Sequence, residues 1–123
     1  MPAEKRRLLI VDDDPDILLV LQDRLGSFGF PVMTVSNARD AVEEVKRGGY
    51  ALVIMDVKMP GMDGIEALRL IQHIQPRMPV IMMTSSEEAA MGSLSEGAKA
   101  YLLKPIEPER LKETVNRWSM QEV

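Results

Sequence analysis

Four short apolar runs recur along the chain without polar alternation: Leu8 to Val11, Tyr50 to Met55, Val80 to Met83 and Ala100 to Leu103. Runs of this length and evenness predict strands covered on both faces. Pro31 to Val35 adds a further short strand. Between them the apolar positions change period. Ile17, Leu18, Leu21 and Leu25 recur at helical spacing after Pro15, a residue suited to a first helical position with Asp14 as its N-cap, and Gly26 and Gly29 end the element. Asn37 caps a helix over Ala38 to Arg47, whose inner face is Ala41, Val42 and Val45. Ile65, Leu68 and Ile71 place a helix at about Ile65 to Gln72, and Leu111, Val115 and Trp118 place one at Glu109 to Trp118. Glu87 to Glu96 is a weaker helix, because Gly92, Ser93 and Ser95 are poor formers and Gly92 alone costs about 1 kcal/mol relative to Ala. Strand and helix alternate five times, which predicts an α/β fold: a doubly wound, five-stranded parallel sheet with five helices on its two faces.

Composition narrows this picture. A length of 123 residues suits one domain spanning 1–123, with its core at about 7–119. The apolar share of 46% and charged share of 28% are those of a globular domain. The absence of cysteine excludes disulfides and thiolate metal sites. The opening segment reaches Asp12 too soon for a signal-peptide core, and no apolar stretch approaches membrane length, so the expectation is a cytoplasmic protein with no membrane partner. A net charge of −4 argues against direct nucleic-acid binding, and the basic cluster Lys5, Arg6 and Arg7 reads as a solvated tail before the first strand.

The strand ends carry the chemistry. Asp12, Asp13 and Asp14 follow the first strand, Asp56 the third, Thr84 the fourth and Lys104 the fifth. A parallel sheet brings all carboxyl ends to one edge, so residues far apart in sequence converge there. Asp12, Asp13 and Asp56 in one cleft repel one another unless a cation intervenes. Mg²⁺, a hard ion with oxygen ligands and retained waters, fits that need. Lys104 supplies a compact positive charge, Thr84 a hydroxyl donor, and an Asp carboxylate a nucleophile able to form an acyl phosphate. Together these residue types point to phosphoryl transfer.

The segments VDDD, IMDVKMPGMDG, MTS and YLLKP, in this order on these elements, resemble the receiver domains of two-component response regulators, with the resemblance running from about Leu8 to Trp118. It implies the flavodoxin-like strand order 2-1-3-4-5 seen in chemotaxis receivers. It also implies that Asp56 is the phospho-acceptor, that Asp13 ligates Mg²⁺ directly, and that Asp12 helps hold the ion, often through water. The Lys58 backbone carbonyl would be the third protein ligand. Lys104 would lie near the phosphoryl group, with a cis bond before Pro105, and Thr84 and Tyr101 would be the switch pair. The implied partners are a histidine kinase or histidine phosphotransfer protein as donor and a downstream protein or effector domain as reader. A homodimer through the face of the fourth helix, fifth strand and fifth helix is a further expectation.

The remaining residues have plainer readings. Asp14 is a helix cap, Asp63 a loop or N-cap acid, and His73 a surface histidine without partner ligands. Lys58 and Ser86 are either ordinary loop and cap residues or groups that tune the phosphoryl lifetime. The stretch from Thr84 to Gly97 is about two residues shorter than in a typical receiver, which predicts a fourth helix that is mobile or partly formed without phosphate. Two competing functions remain. Asp12-x-Asp14 also fits the haloacid-dehalogenase-type phosphatases, with Asp12 as nucleophile and Asp14 as acid/base. A receiver used only as a docking platform is the other. Beyond phosphorylating and dephosphorylating itself, no enzyme activity is expected.

Overall fold

The computed structural model describes residues 7–119. Strand β1 is Arg7–Val11, β2 Val32–Val35, β3 Tyr50–Asp56, β4 Val80–Thr84 and β5 Ala100–Leu103. The helices are α1 Pro15–Ser27, α2 Ala38–Arg47, α3 Gly64–Ile74, α4 Glu87–Ser95 and α5 Pro108–Ser119. All strands are parallel and their order is β2-β1-β3-β4-β5, as the resemblance implied.

Alternate residues of each strand enter two separate cores, which is why the strands read as continuous apolar runs. Leu9, Val11, Val53, Met55, Val80 and Met82 pack with α2 and α3 on one face. Leu8, Ile10, Leu52, Ile54, Ile81 and Met83 pack with α1 and α5 on the other. No helix among the described residues is long and apolar enough to cross a membrane.

Local signals set the helix starts. Asp14 accepts from the Asp16 N–H at 2.9 Å, Asn37 from Asp40 at 2.8 Å, Asp63 from Glu66 at 2.9 Å and Ser86 from Ala89 at 3.2 Å, capping α1 to α4. Helix ends depart from the sequence expectation. Helix α1 runs through Gly26 to Ser27, and the positive φ that halts the chain is at Gly29, +94°. Helix α3 continues two residues past Gln72 to Ile74. The fourth helix ends at Ser95, one residue before the expected Glu96. Its nine residues are helical, and its C-terminus is closed by an Ala98 N–H bond to the Ser93 carbonyl at 3.1 Å. Ala90 and Ser93 are buried beneath it. Arg7 is not part of a solvated tail but belongs to β1, where its guanidinium lies 4.8 Å from the Tyr50 ring centroid; Lys5 and Arg6 lie outside the described residues.

Candidate phosphoryl-acceptor site

The parallel sheet delivers the strand-end residues to one edge. Asp12 follows β1, and its N–H bonds the Val35 carbonyl at 3.3 Å, so the chain leaves the sheet between β2 and β3. Asp56 is the last residue of β3 and pairs with Met83 of β4. Thr84 closes β4, and its carbonyl accepts the Lys104 N–H at 2.9 Å just beyond β5. The Lys104–Pro105 peptide bond is cis.

Carboxylate oxygens of Asp12, Asp13 and Asp56 all lie within 4.8 Å of one another. Asp12 is fully buried, Asp56 is 7% exposed, and Asp13 lies at the open mouth. Lys104 Nζ reaches Asp12 Oδ2 at 2.9 Å and Asp56 Oδ1 at 3.4 Å. Asp12 Oδ1 also accepts the Asp14 N–H at 2.9 Å. Both oxygens of the most buried acid are therefore engaged, whereas Asp56 retains an oxygen free of hydrogen bonds among the described residues.

Electrostatics follow from this layout. Burial first, then the negative charge of Asp12, push the Asp56 carboxyl above the usual carboxylate range, and Lys104 only partly opposes them. For Lys104, burial works to lower the ammonium's pKa. The hydrogen bond and charge of Asp12, followed by those of Asp56, outweigh it and raise the value. Three acids against one lysine leave the cleft net negative, a setting for a hard cation.

Thr84 is 4% exposed, and its hydroxyl oxygen accepts the Ser86 N–H at 3.1 Å. Its own proton has no acceptor among the described residues. Lys58 follows Asp56 by two residues, with its side chain exposed between buried Val57 and Met59. Tyr101 is half-buried in β5 and paired with Met82 of β4. Asp63 and Ser86 are caps, and His73 is exposed.

One determinant was not recognised in the sequence. A Cβ on Gly64 would lie 2.3 Å from the Asp56 carbonyl oxygen and 2.9 Å from Val57 Cα. Only glycine lets α3 begin against the backbone that carries Asp56. The available signal was a glycine, a poor helix former, directly after the capping acid Asp63.

The phosphatase reading finds no support in this geometry. Asp12, its nucleophile, is buried with both oxygens bonded, and Asp14, its acid/base, caps α1.

The comparisons identify the family. The family described as "Response regulator receiver domain" matches residues 8–116. The transcriptional regulatory protein ZraR of Salmonella typhimurium is 38% identical over 112 residues, covering 89% of this chain and 25% of that protein. YkoG of Bacillus subtilis, a transcriptional regulatory protein described as uncharacterized, is 36% identical, covering 88% of this chain and 48% of its own length. The chain thus spans between a quarter and half of these curated relatives. Among solved structures, a CheY-like receiver domain protein from Methanospirillum hungatei is 33% identical with a TM-score of 0.87, covering 94% of each chain. The receiver domain of a sensor histidine kinase from Pseudomonas aeruginosa is 29% identical with a TM-score of 0.87, covering 94% of this chain and 98% of that one. That structure is described with a magnesium ion coordinated in its active site cleft. On the family match and the shared fold, this chain belongs to the response regulator receiver domains of two-component signalling.

Proposed function

We propose that the chain, as one receiver domain over 1–123, accepts a phosphoryl group on Asp56 from a phosphohistidine of a histidine kinase or phosphotransfer protein. The observation that carries this reading is the three-acid cluster, whose oxygens lie within 4.8 Å, bridged by Lys104 at 2.9 and 3.4 Å. The donor set is hard oxygen with an open mouth at Asp13, which fits Mg²⁺. Asp13 and Asp56 would hold the ion directly, Asp12 would assist, and the Lys58 carbonyl would complete the protein ligands. Bound there, magnesium supplies the positive charge that lets an anionic phosphoryl group approach three carboxylates.

The chain's own residues do the rest. The free oxygen of Asp56 attacks phosphorus in line. The bond from phosphorus to the imidazole nitrogen breaks, its electron pair stays on that nitrogen, and a proton is taken up from solvent. Lys104 Nζ moves from the two carboxylates to pair with a phosphoryl oxygen. Thr84 turns its uncommitted proton toward another. Hydrolysis ends the state: water attacks phosphorus and gives up a proton to solvent, the acyl phosphate bond breaks with its electron pair on the Asp56 oxygen, and phosphate leaves. No further catalytic activity belongs to this reading.

Acyl phosphate adds charge of about −2 at Asp56. Movement of Thr84 toward it opens space for the half-buried Tyr101 ring, and the surface of α4, β5 and α5 changes. Met91, Leu94 and Leu103 are 57%, 40% and 39% exposed on α4 and β5, an apolar patch suited to a downstream effector or to a second phosphorylated copy. The reading places the protein in the cytoplasm, where such donors act.

Intact mass after incubation with Mg²⁺ and acetyl phosphate or phosphoramidate tests the assignment. One phosphoryl adduct is expected, absent in Asp56→Asn and absent with a chelator. No adduct on folded protein with either donor would point to a docking platform, and an adduct surviving in Asp56→Asn would move the acceptor elsewhere.

A further inference from the structure

Two surface features carry complementary charge, and the first borders the acceptor site, since Asp16 and Val20 line a cleft with Lys104. On α1, Leu19 and Val20 are 67% and 50% exposed, and Asp16 and Asp23 are exposed beside them. Positions i, i+3, i+4 and i+7 share one helix face. Helix α1 therefore presents an apolar ridge with a carboxylate at each end. On the other face of the sheet, α2 and α3 enclose a groove of about 440 Å³, floored by Val42, Met62 and Ile74. Its wall is Leu70, 40% exposed. Arg39 and Lys46 line the α2 rim, with His73 on α3.

The charges match in sign and spacing. Asp16 and Asp23 are seven residues apart on α1, as are Arg39 and Lys46 on α2, a helical advance of about 10 Å in each case. Arg39 and His73 have no ion-pair partner among the described residues. Glu43 lies on the same rim, paired with Lys46 at 3.3 Å, but both side chains are more than half exposed, and such a pair exchanges partners at little cost. Helix α4 also exposes apolar residues, Met91 and Leu94, yet its free carboxylates, Glu87 and Glu88, stand at one end only. At its other end Glu96 is bound to Arg69 at 2.9 Å. Of the two ridges, α1 is the better complement.

We propose that the α1 ridge of one copy seats in the α2–α3 groove of a second copy, a head-to-tail contact that does not depend on phosphorylation. Ridge and groove lie on opposite faces of the sheet, so the contact is heterologous and each bound pair retains one free ridge and one free groove. Helix α1 begins beside the acceptor site at Asp14, so the contact also narrows a protein donor's approach to Asp56 without closing the cleft to a small one.

Sedimentation velocity on the unphosphorylated protein, from micromolar to millimolar concentration, is the test. The average mass is expected to rise with concentration. Leu19→Glu and Leu70→Glu, both at exposed positions, should each remain monomeric alone. Mixed in equal amounts, they should form a one-to-one complex that grows no further, because one variant keeps an intact groove and the other an intact ridge. As an independent pair, Asp23→Lys should weaken association several-fold and adding Lys46→Glu in the same chain should restore it. A wild-type protein monomeric throughout would overturn the proposal. So would self-association of either Leu variant, a mixture that stays monomeric, or loss of association in Met91→Glu but not in Leu19→Glu.

Discussion

Replacing Asp56 by Asn should stabilise the metal-free protein. Two unit charges no more than 4.8 Å apart repel by at least about 3.5 kcal/mol at an effective dielectric constant of about 20, and Lys104 at 3.4 Å attracts by about 5 kcal/mol. Repulsion from Asp12, with a screened share from the exposed Asp13, therefore nearly cancels the Lys104 attraction. What remains is the burial of a carboxylate that is only 7% exposed, leaving a net cost of about 2 kcal/mol. Asn keeps the shape and removes the charge, while Lys104 retains Asp12 at 2.9 Å. The melting temperature should rise by about 8 °C, since a domain of this size shifts about 4 °C per kcal/mol. The pH dependence carries a definite sign. Burial and Asp12 raise the folded-state pKa of Asp56 above its unfolded value. The folded state thus binds the proton more tightly, and this favours wild type below the unfolded pKa. The advantage is lost as pH rises through the folded pKa, so the gap between variant and wild type widens over that window and then levels. Thermal melts by circular dichroism in chelator, from acid to neutral pH, measure it. Asp56→Asn melting below wild type at neutral pH, or a gap that does not grow with pH, would refute the reasoning.

Magnesium at about a hundred times its dissociation constant should add about 2.7 kcal/mol to wild type, and Asp13→Asn should lose most of that gain in the same melts. Gly64→Ala should cost about 3 kcal/mol in urea unfolding and also slow adduct formation, because its Cβ would strike the Asp56 carbonyl from 2.3 Å. Ser86→Ala removes the α4 cap and should cost about 1 kcal/mol, with amide exchange accelerated in α4 rather than in α2 or α3.

Much of this fold is written in the strands. Each run such as Leu8 to Val11 is apolar at successive positions because Leu8 and Ile10 enter one core and Leu9 and Val11 the other. The convergence of Asp12, Asp13, Asp56, Thr84 and Lys104 was legible for a related reason: parallel order leaves strand ends no other place to go. Helix termini were less legible. Gly26 lowers helix propensity without forbidding continuation, and the chain turns where φ becomes positive, at Gly29. Details that depend on distance were hidden altogether. Sequence cannot rank the two acids that Lys104 reaches, nor place the start of α3 against the Asp56 carbonyl.

On the proposed function, the position of Lys104 would tie the acceptor site to the start of α4. Before phosphorylation, its closer contact is Asp12, the acid that has no exposed surface and no other counter-charge among the described residues. A phosphoryl group on Asp56 would raise the negative charge on that side, and the Coulomb balance would then move the ammonium away from Asp12. The backbone of the same residue donates to the Thr84 carbonyl, while the Thr84 hydroxyl holds the Ser86 N–H at the start of α4. Charge at Asp56 therefore pulls on two groups joined by one hydrogen bond, and the second of them contacts the cap of the helix that carries Met91 and Leu94. On that reading, acceptor chemistry and surface change would share those few bonds, and rearranging the first would perturb the second without a longer path through the core.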